Sequence, residues 1–217
     1  SDWDDRLLGL LRIDRAQLPV VVDNAGVLGA ATALDGAPPI AGMIGDQQAS
    51  LLGQGCLAPG LAKIAFGTGG MLDTVVEGVP TWGPDSAGSV PVIARRIDGR
   101  DTWALEGVML AAGTNVEWLR DDLGILESSE ASHEVAASVP DSGGAWFVPA
   151  LLGLGTPHWD YGARGALLGV TRGTTAAHVV RAVLEGVAHR GADLVEAAEA
   201  DGAPTIAALR VDGGMAA

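Results

Sequence analysis

Four apolar runs of this chain end on glycine: PIAGMIG just before Asp46, LAKIAFG just before Thr68, TWALEG at Gly107 and LRVDGG at Gly214. Glycine adopts backbone conformations closed to other residues and lets a ligand or a second backbone come close, so strands that stop this way predict tight turns around a ligand. Between these turns the chain alternates in period. Residues 39–45 read as a buried strand, 46–55 as a short helix and 61–67 as a second strand. MLDTVVEG, VPVIARRIDG and 102–108 read as further strands, followed by a helix over 115–124. A polar stretch, 127–143, leads to WFVPALLGLGTPHWDYGARG, a strand that enters a long loop of Gly, Pro and aromatics. An ordered loop of that length is expected to be functional or buried between elements. The strongest helix runs from about Thr175 to Ala200. There Val179, Val183, Val187, Leu194 and Ala198 recur at helical steps and Gly202 supplies the stop. One face of it must be buried. A last strand, TIAALRVDGG (205–214), has no helix after it, and both chain ends read as truncations. The whole is a mixed α/β pattern.

The 217 residues suit one domain, and 48% hydrophobic content is that of a globular chain. No apolar run approaches the roughly 18 to 20 residues needed to cross a bilayer. The first residues, SDWDDRLLGLLRID, are acidic and amphipathic, unlike a secretory signal. The single cysteine, Cys56, can form neither an internal disulfide nor a zinc cluster, which points to a reducing cytoplasm. A net charge of −14 argues against a nucleic-acid surface. It leaves room for ATP, because backbone N–H groups, a helix N-terminus and a magnesium ion can carry phosphates locally.

Phosphoryl transfer needs a cradle for phosphates, a metal and a base near the accepting hydroxyl. In FGTGG a strand ends in a turn whose N–H groups can converge on an anion with the Thr68 hydroxyl beside them; a plain hairpin between core strands explains the same residues. Asp46 is either the N-cap of the following helix or a carboxylate that accepts a proton from a substrate alcohol, with Gln47 or Gln48 on a neighbouring hydroxyl. Gly213 and Gly214 either admit an adenine or ribose or simply end a strand. Neither GxxxxGK[ST] nor GxGxxG occurs, and the lone lysine, Lys63, lies in a strand. His133, His158, His178 and His189 lack metal spacing and carry no assigned role. The tryptophans read as core or domain-interface groups. Arg164 is a surface charge or a partner of Asp160.

The order of these elements resembles the FGGY carbohydrate kinase family. GALLGVTRGTTAAHVVRAVLE (165–185) fits its signature throughout. GMIGDQQASLLGQGCLAPGLAKIAFGTGG (42–70) resembles the glycerol kinase form of its GDQ and GTG elements, and WFVPALLGLGTPHWDYGARG and LRVDGG resemble two further motifs. The resemblance implies an actin-like ATPase fold of two ribonuclease H-like domains, with ATP and a polyol in the cleft between them. Residues 1–29 then close the N-terminal domain and connect it to a C-terminal domain, 30–217. Asp46 matches the catalytic base, Gln47 a glycerol hydroxyl contact, and Met71 the place of an aromatic residue packed on the glycerol carbons. Thr68 with Gly69, Gly113 and Glu117, and Gly213 with Gly214, match contacts to the phosphates, ribose and adenosine of ADP; Glu117 replaces a glutamine. No residue here matches a metal ligand. The phosphate loop, the magnesium-linked aspartate and most glycerol contacts belong to the family's other domain, so this stretch alone is expected to be inactive. The resemblance leaves a homo-oligomer open.

Overall fold

The computed structural model describes residues 2–216. The chain opens with helix α1 (Asp5–Leu11), capped by the Asp4 carboxylate, which accepts from the Arg6 and Leu7 N–H groups. Strands β1 (Ala25–Ala30) and β2 (Pro39–Gly42) form an antiparallel hairpin. The 39–45 run therefore makes an exposed edge ribbon where a buried strand was expected, and the connector before it contains β1. Its apolar side chains find no second layer within the described residues. The ribbon is tied to the rest by the Asn24 Oδ1, which accepts from the Arg96 N–H, and by Asp23, which pairs with Arg96 at 3.2 Å.

Then follow α2 (Asp46–Gly53), β3 (Leu61–Phe66), β4 (Gly70–Val75), β5 (Val90–Ile97), β6 (Arg100–Met109) and α3 (Gly113–Asp121). After α4 (Ala131–Ala137) come the short pair β7 (Trp146–Val148) and β8 (Ala166–Leu168), the long helix α5 (Ala176–Ala200) and β9 (Ala208–Asp212). The polar stretch thus contains α4, and β8 arises within the signature run; neither has a strong apolar period of its own. The main sheet has the order β5-β6-β4-β3-β9, with β9 parallel to β3 and every other pair antiparallel.

Alternation along β3 sorts its side chains into two layers. Ala62 and Ile64 face α5 in a core with Leu72, Leu105, Val187, Leu194 and Ala198, all buried. Lys63 points the other way, toward α2, where Leu51, Val75, Ala94 and Ala104 make a smaller core. A third cluster joins α3, α4 and β7 to the first half of α5 through Val116, Leu119, Phe147 and Val183. Helix α5 starts on a capping box between Thr175 and His178 and carries an Arg181–Glu185 pair at 2.7 Å; it stops before Gly202, whose φ is +99°. His178 therefore has a local structural part.

The middle of the long loop, at Gly153, Gly155 and Thr156, is buried, while Leu152 and residues 160–162 are exposed. Thr156, fully buried, donates its N–H to Val108 O at 2.9 Å and its hydroxyl to Gly88 O at 3.1 Å, and Arg190 of α5 donates to its carbonyl. Arg164 makes no pair with Asp160. It donates to the carbonyls of Tyr161, Gly162 and Ala163, while Asp160 accepts from the N–H groups of Gly162 and Ala163.

Candidate active site

Thr68 stands at the tip of the β3–β4 turn, and the start of α3 is bonded to that turn. The Ala112 N–H donates to Thr68 O at 2.9 Å, Gly113 N–H to Gly67 O at 2.8 Å, and the Thr114 N–H and hydroxyl to Thr68 O at 3.3 and 3.2 Å. The first donors of α3 are thus used to hold the turn, and the positive end of the helix lies against it. Three glycines make this contact possible. A Cβ would lie 2.6 Å from Met109 O at Gly69, 2.7 Å from Gly67 O at Gly113, and 2.4 Å from Phe66 O at Gly213. These three have a packing reason of their own. Gly214 differs: an added Cβ meets nothing within 4 Å. The Thr68 hydroxyl, exposed, has no hydrogen-bond partner among the described residues.

The turn, the start of α3 and the end of β9 enclose a cavity of about 690 Å³ lined by Thr68, Gly113, Glu117 and Gly214. Four residues singled out from the sequence are thereby brought together from three separate segments. Val116, Leu184 and Met215 give the cavity an apolar end, and Glu130, His133 and Glu134 from the α4 segment give it a polar rim. Its lining contains no lysine or arginine. Arg120, nearby, is committed to Asp121 and to the Ser129 hydroxyl at 2.8 Å. The Glu130 carboxyl is held below its ordinary range by its own backbone N–H and by the Ser128 hydroxyl. An anion here would rest on backbone N–H groups and the Thr68 hydroxyl rather than on side-chain cations.

Asp46, Gln47 and Met71 lie on the other face of the sheet, around α2. Gly45 is the N-cap of α2 and Asp46 its first residue, exposed, with Oδ1 accepting from the Gln47 N–H at 2.8 Å. Gln47 Nε2 donates to Asp73 Oδ1 at 2.9 Å, and Asp73 Oδ2 lies 3.0 Å from Lys63 Nζ, both side chains being 1% exposed. Met71, half-buried, precedes Asp73 by two residues and shares its face. Glu106 lies directly across from Asp73 on β6. Burial pushes the Asp73 carboxyl up, with Lys63 opposing; burial and then the Asp73 charge push Glu106 up. Farther along α2, Ser50 donates to Asp212 at 2.6 Å and Gln54 to the same oxygen at 3.2 Å. Nothing marked Asp73 or Glu106 in the sequence except position. Lys63 and Asp73 are equidistant from Thr68, so a hairpin closed there must set the opposite charges side by side. Among the described residues no three His, Cys, Asp or Glu side chains gather as metal ligands.

The family model "FGGY family of carbohydrate kinases, C-terminal domain" matches residues 62–217. A glycerol kinase of Trichlorobacter lovleyi is 49% identical over 219 residues, covering 100% of this chain and 44% of that protein. Glycerol kinase 2 of Thermotoga maritima is 47% identical over 215 residues, covering 98% of this chain and 43% of that protein. Among solved structures, a Plasmodium falciparum glycerol kinase with ADP superposes with a TM-score of 0.86 at 31% identity, covering 99% of this chain and 43% of that one. A ligand-bound xylulose kinase from Lactobacillus acidophilus gives 0.78 at 26%, covering 98% and 44%. The chain spans less than half the length of the relatives it matches, 44% of the first.

Proposed function

The chain belongs to the FGGY family of carbohydrate kinases, and from that we propose that it is the C-terminal lobe of an ATP-dependent polyol kinase whose acceptor is glycerol. The fold is the actin-like ATPase fold of that family. In the whole protein the Asp46 carboxylate takes the proton of a terminal glycerol hydroxyl as its oxygen attacks the γ-phosphorus of ATP. The new O–P bond forms, the bond from phosphorus to the bridging β–γ oxygen breaks, and ADP and glycerol 3-phosphate leave. The phosphates lie at the Thr68 turn and the adenosine toward Gly214 and Met215. Gln47 holds a second hydroxyl and Met71 covers the carbon chain, a task its flexible thioether can fill. The magnesium ion that accompanies ATP is read as held mainly by the preceding lobe, and no step is assigned to it here. Residues 1–29 are read as the end of the preceding lobe with its connector and 30–217 as the C-terminal domain that forms half of the cleft.

The observation that carries this reading is the convergence of Thr68, Gly113 and Gly214 on one cavity of nucleotide size. Glycerol is favoured over other acceptors by the 44–49% identity of relatives named glycerol kinase. The likeness to a xylulose kinase and the methionine at position 71 support a second reading, another polyol or sugar kinase. Phosphorylation assays of the whole protein with glycerol, erythritol and xylulose decide between the two. Replacement of Asp46 by Asn should lower kcat about 10²- to 10⁴-fold; an undiminished rate removes Asp46 as the base. Titration of this chain with ADP in a calorimeter tests the nucleotide half separately. Steady glycerol phosphorylation by this chain alone would contradict the half-cleft reading.

A further inference from the structure

Beneath α2 lies a polar group of side chains that packing alone does not require. Lys63 and Asp73 are both 1% exposed and paired at 3.0 Å, and the other Asp73 oxygen accepts from Gln47 Nε2 at 2.9 Å. An ionised carboxylate only accepts hydrogen bonds, so it selects the amino edge of the Gln47 amide and excludes the flipped orientation. Glu106 lies opposite Asp73 on β6. The Gln47 amide nitrogen thus has a buried carboxylate acceptor within the chain. The amide is planar, so its Oε1 is directed elsewhere. No described group donates to that oxygen, and it is not among the buried unpaired atoms.

Taking the polyol reading of the α2 face as given, we propose that Asp73, paired with Lys63 at 3.0 Å, is a positioning residue of the acceptor subsite. It locks Gln47 with Oε1 outward, so that the subsite accepts a hydrogen bond and selects a substrate hydroxyl that donates one. A freely rotating glutamine would take either a donor or an acceptor. The locked one discriminates, because an acceptor-only group set against Oε1 leaves two oxygens or a fluorine and an oxygen face to face, without a proton between them.

Two measurements test this. On this chain, the Gln47 side-chain NH2 protons are followed by NMR; slow exchange with solvent is expected, and exchange as fast as that of an exposed glutamine overturns the lock. In the whole protein, KM for glycerol is compared with KM for 2-fluoro-1,3-propanediol, which keeps the attacking hydroxyl and loses the neighbouring donor. The fluoro compound should show a KM about tenfold higher. The double variant Lys63→Met with Asp73→Leu, which leaves no lone buried charge, should reduce that ratio toward one with the ATP KM unchanged. An unchanged ratio in the double variant overturns the proposal, whereas a merely structural pair would move both KM values together. Absence of glycerol phosphorylation by the wild-type protein would count against the kinase reading, and the exchange of the Gln47 amide then decides the lock by itself.

Discussion

Asp46 and Gly214 illustrate how one residue type can be open to chemistry while its neighbours are committed to structure. Asp46 is exposed at the first position of α2 and bonded only to the adjacent N–H. Gly213 and Gly214 are consecutive, yet their reasons differ. Gly213 has φ +93° and lies against the backbone of Phe66, so any side chain there is both strained and blocked. Gly214 has an ordinary φ and open space on the cavity side. Gly214→Val should therefore fold as wild type and weaken ADP binding at least about tenfold, or ~1.4 kcal/mol, by filling the cavity. Calorimetry with ADP and a thermal melt check both halves of that statement. A matching loss of Tm would place the valine against protein rather than in the cavity.

Strands β3, β4 and β6 owe their two-sidedness to alternation, and the charged residues on the α2 side follow from it. Lys63→Met alone should destabilise the chain by about 3–5 kcal/mol, because Asp73 is left buried without its cation; the double change with Asp73→Leu should recover most of that loss. Denaturant titrations of the three proteins measure it. Glu106 makes a prediction about pH. Burial and the Asp73 charge raise its carboxyl in the folded chain above the ordinary glutamate value of 4.5, so the folded state binds more protons than the unfolded one in the window above that value. Its contribution is then fully present below about pH 4.5 and is lost as pH rises through the folded pKa. Glu106→Gln should flatten that decline and raise Tm at neutral pH relative to wild type; melts from pH 4 to 8 read it. The same slope in both proteins would show that Glu106 is solvated like an ordinary glutamate.

At the scale of the whole molecule, apolar surface remains uncovered at the N-terminal segment and at the β9 edge, among other places. The N-terminal segment exposes Leu10, Leu11, Val20 and Val27 by 67% or more, and edge strand β9 exposes Leu209 and Val211 by 41% and 50%. Leu209 and Val211 continue the α5-facing layer, being level with Ala62 and Ile64 in the parallel register. The isolated chain should self-associate through such surface, and Val211→Lys should lower the sedimenting mass in a concentration series. The sequence by itself determined the helix over 176–200, the strands of the main sheet and the family motifs, because period, glycine stops and residue order are local properties of a chain. It missed α4 and β8, which have little period and are held by packing against α5 and β7. It took 39–45 for a buried strand, because apolarity alone does not say whether a second layer exists. The tertiary structure alone decided which glycines touch backbone and which touch space, since that depends on segments far apart in the chain. It also set Lys63 beside Asp73 across the β3–β4 hairpin, Glu106 opposite Asp73 on β6, and Gln47 of α2 on the Asp73 carboxylate, a grouping that the sequence order does not display.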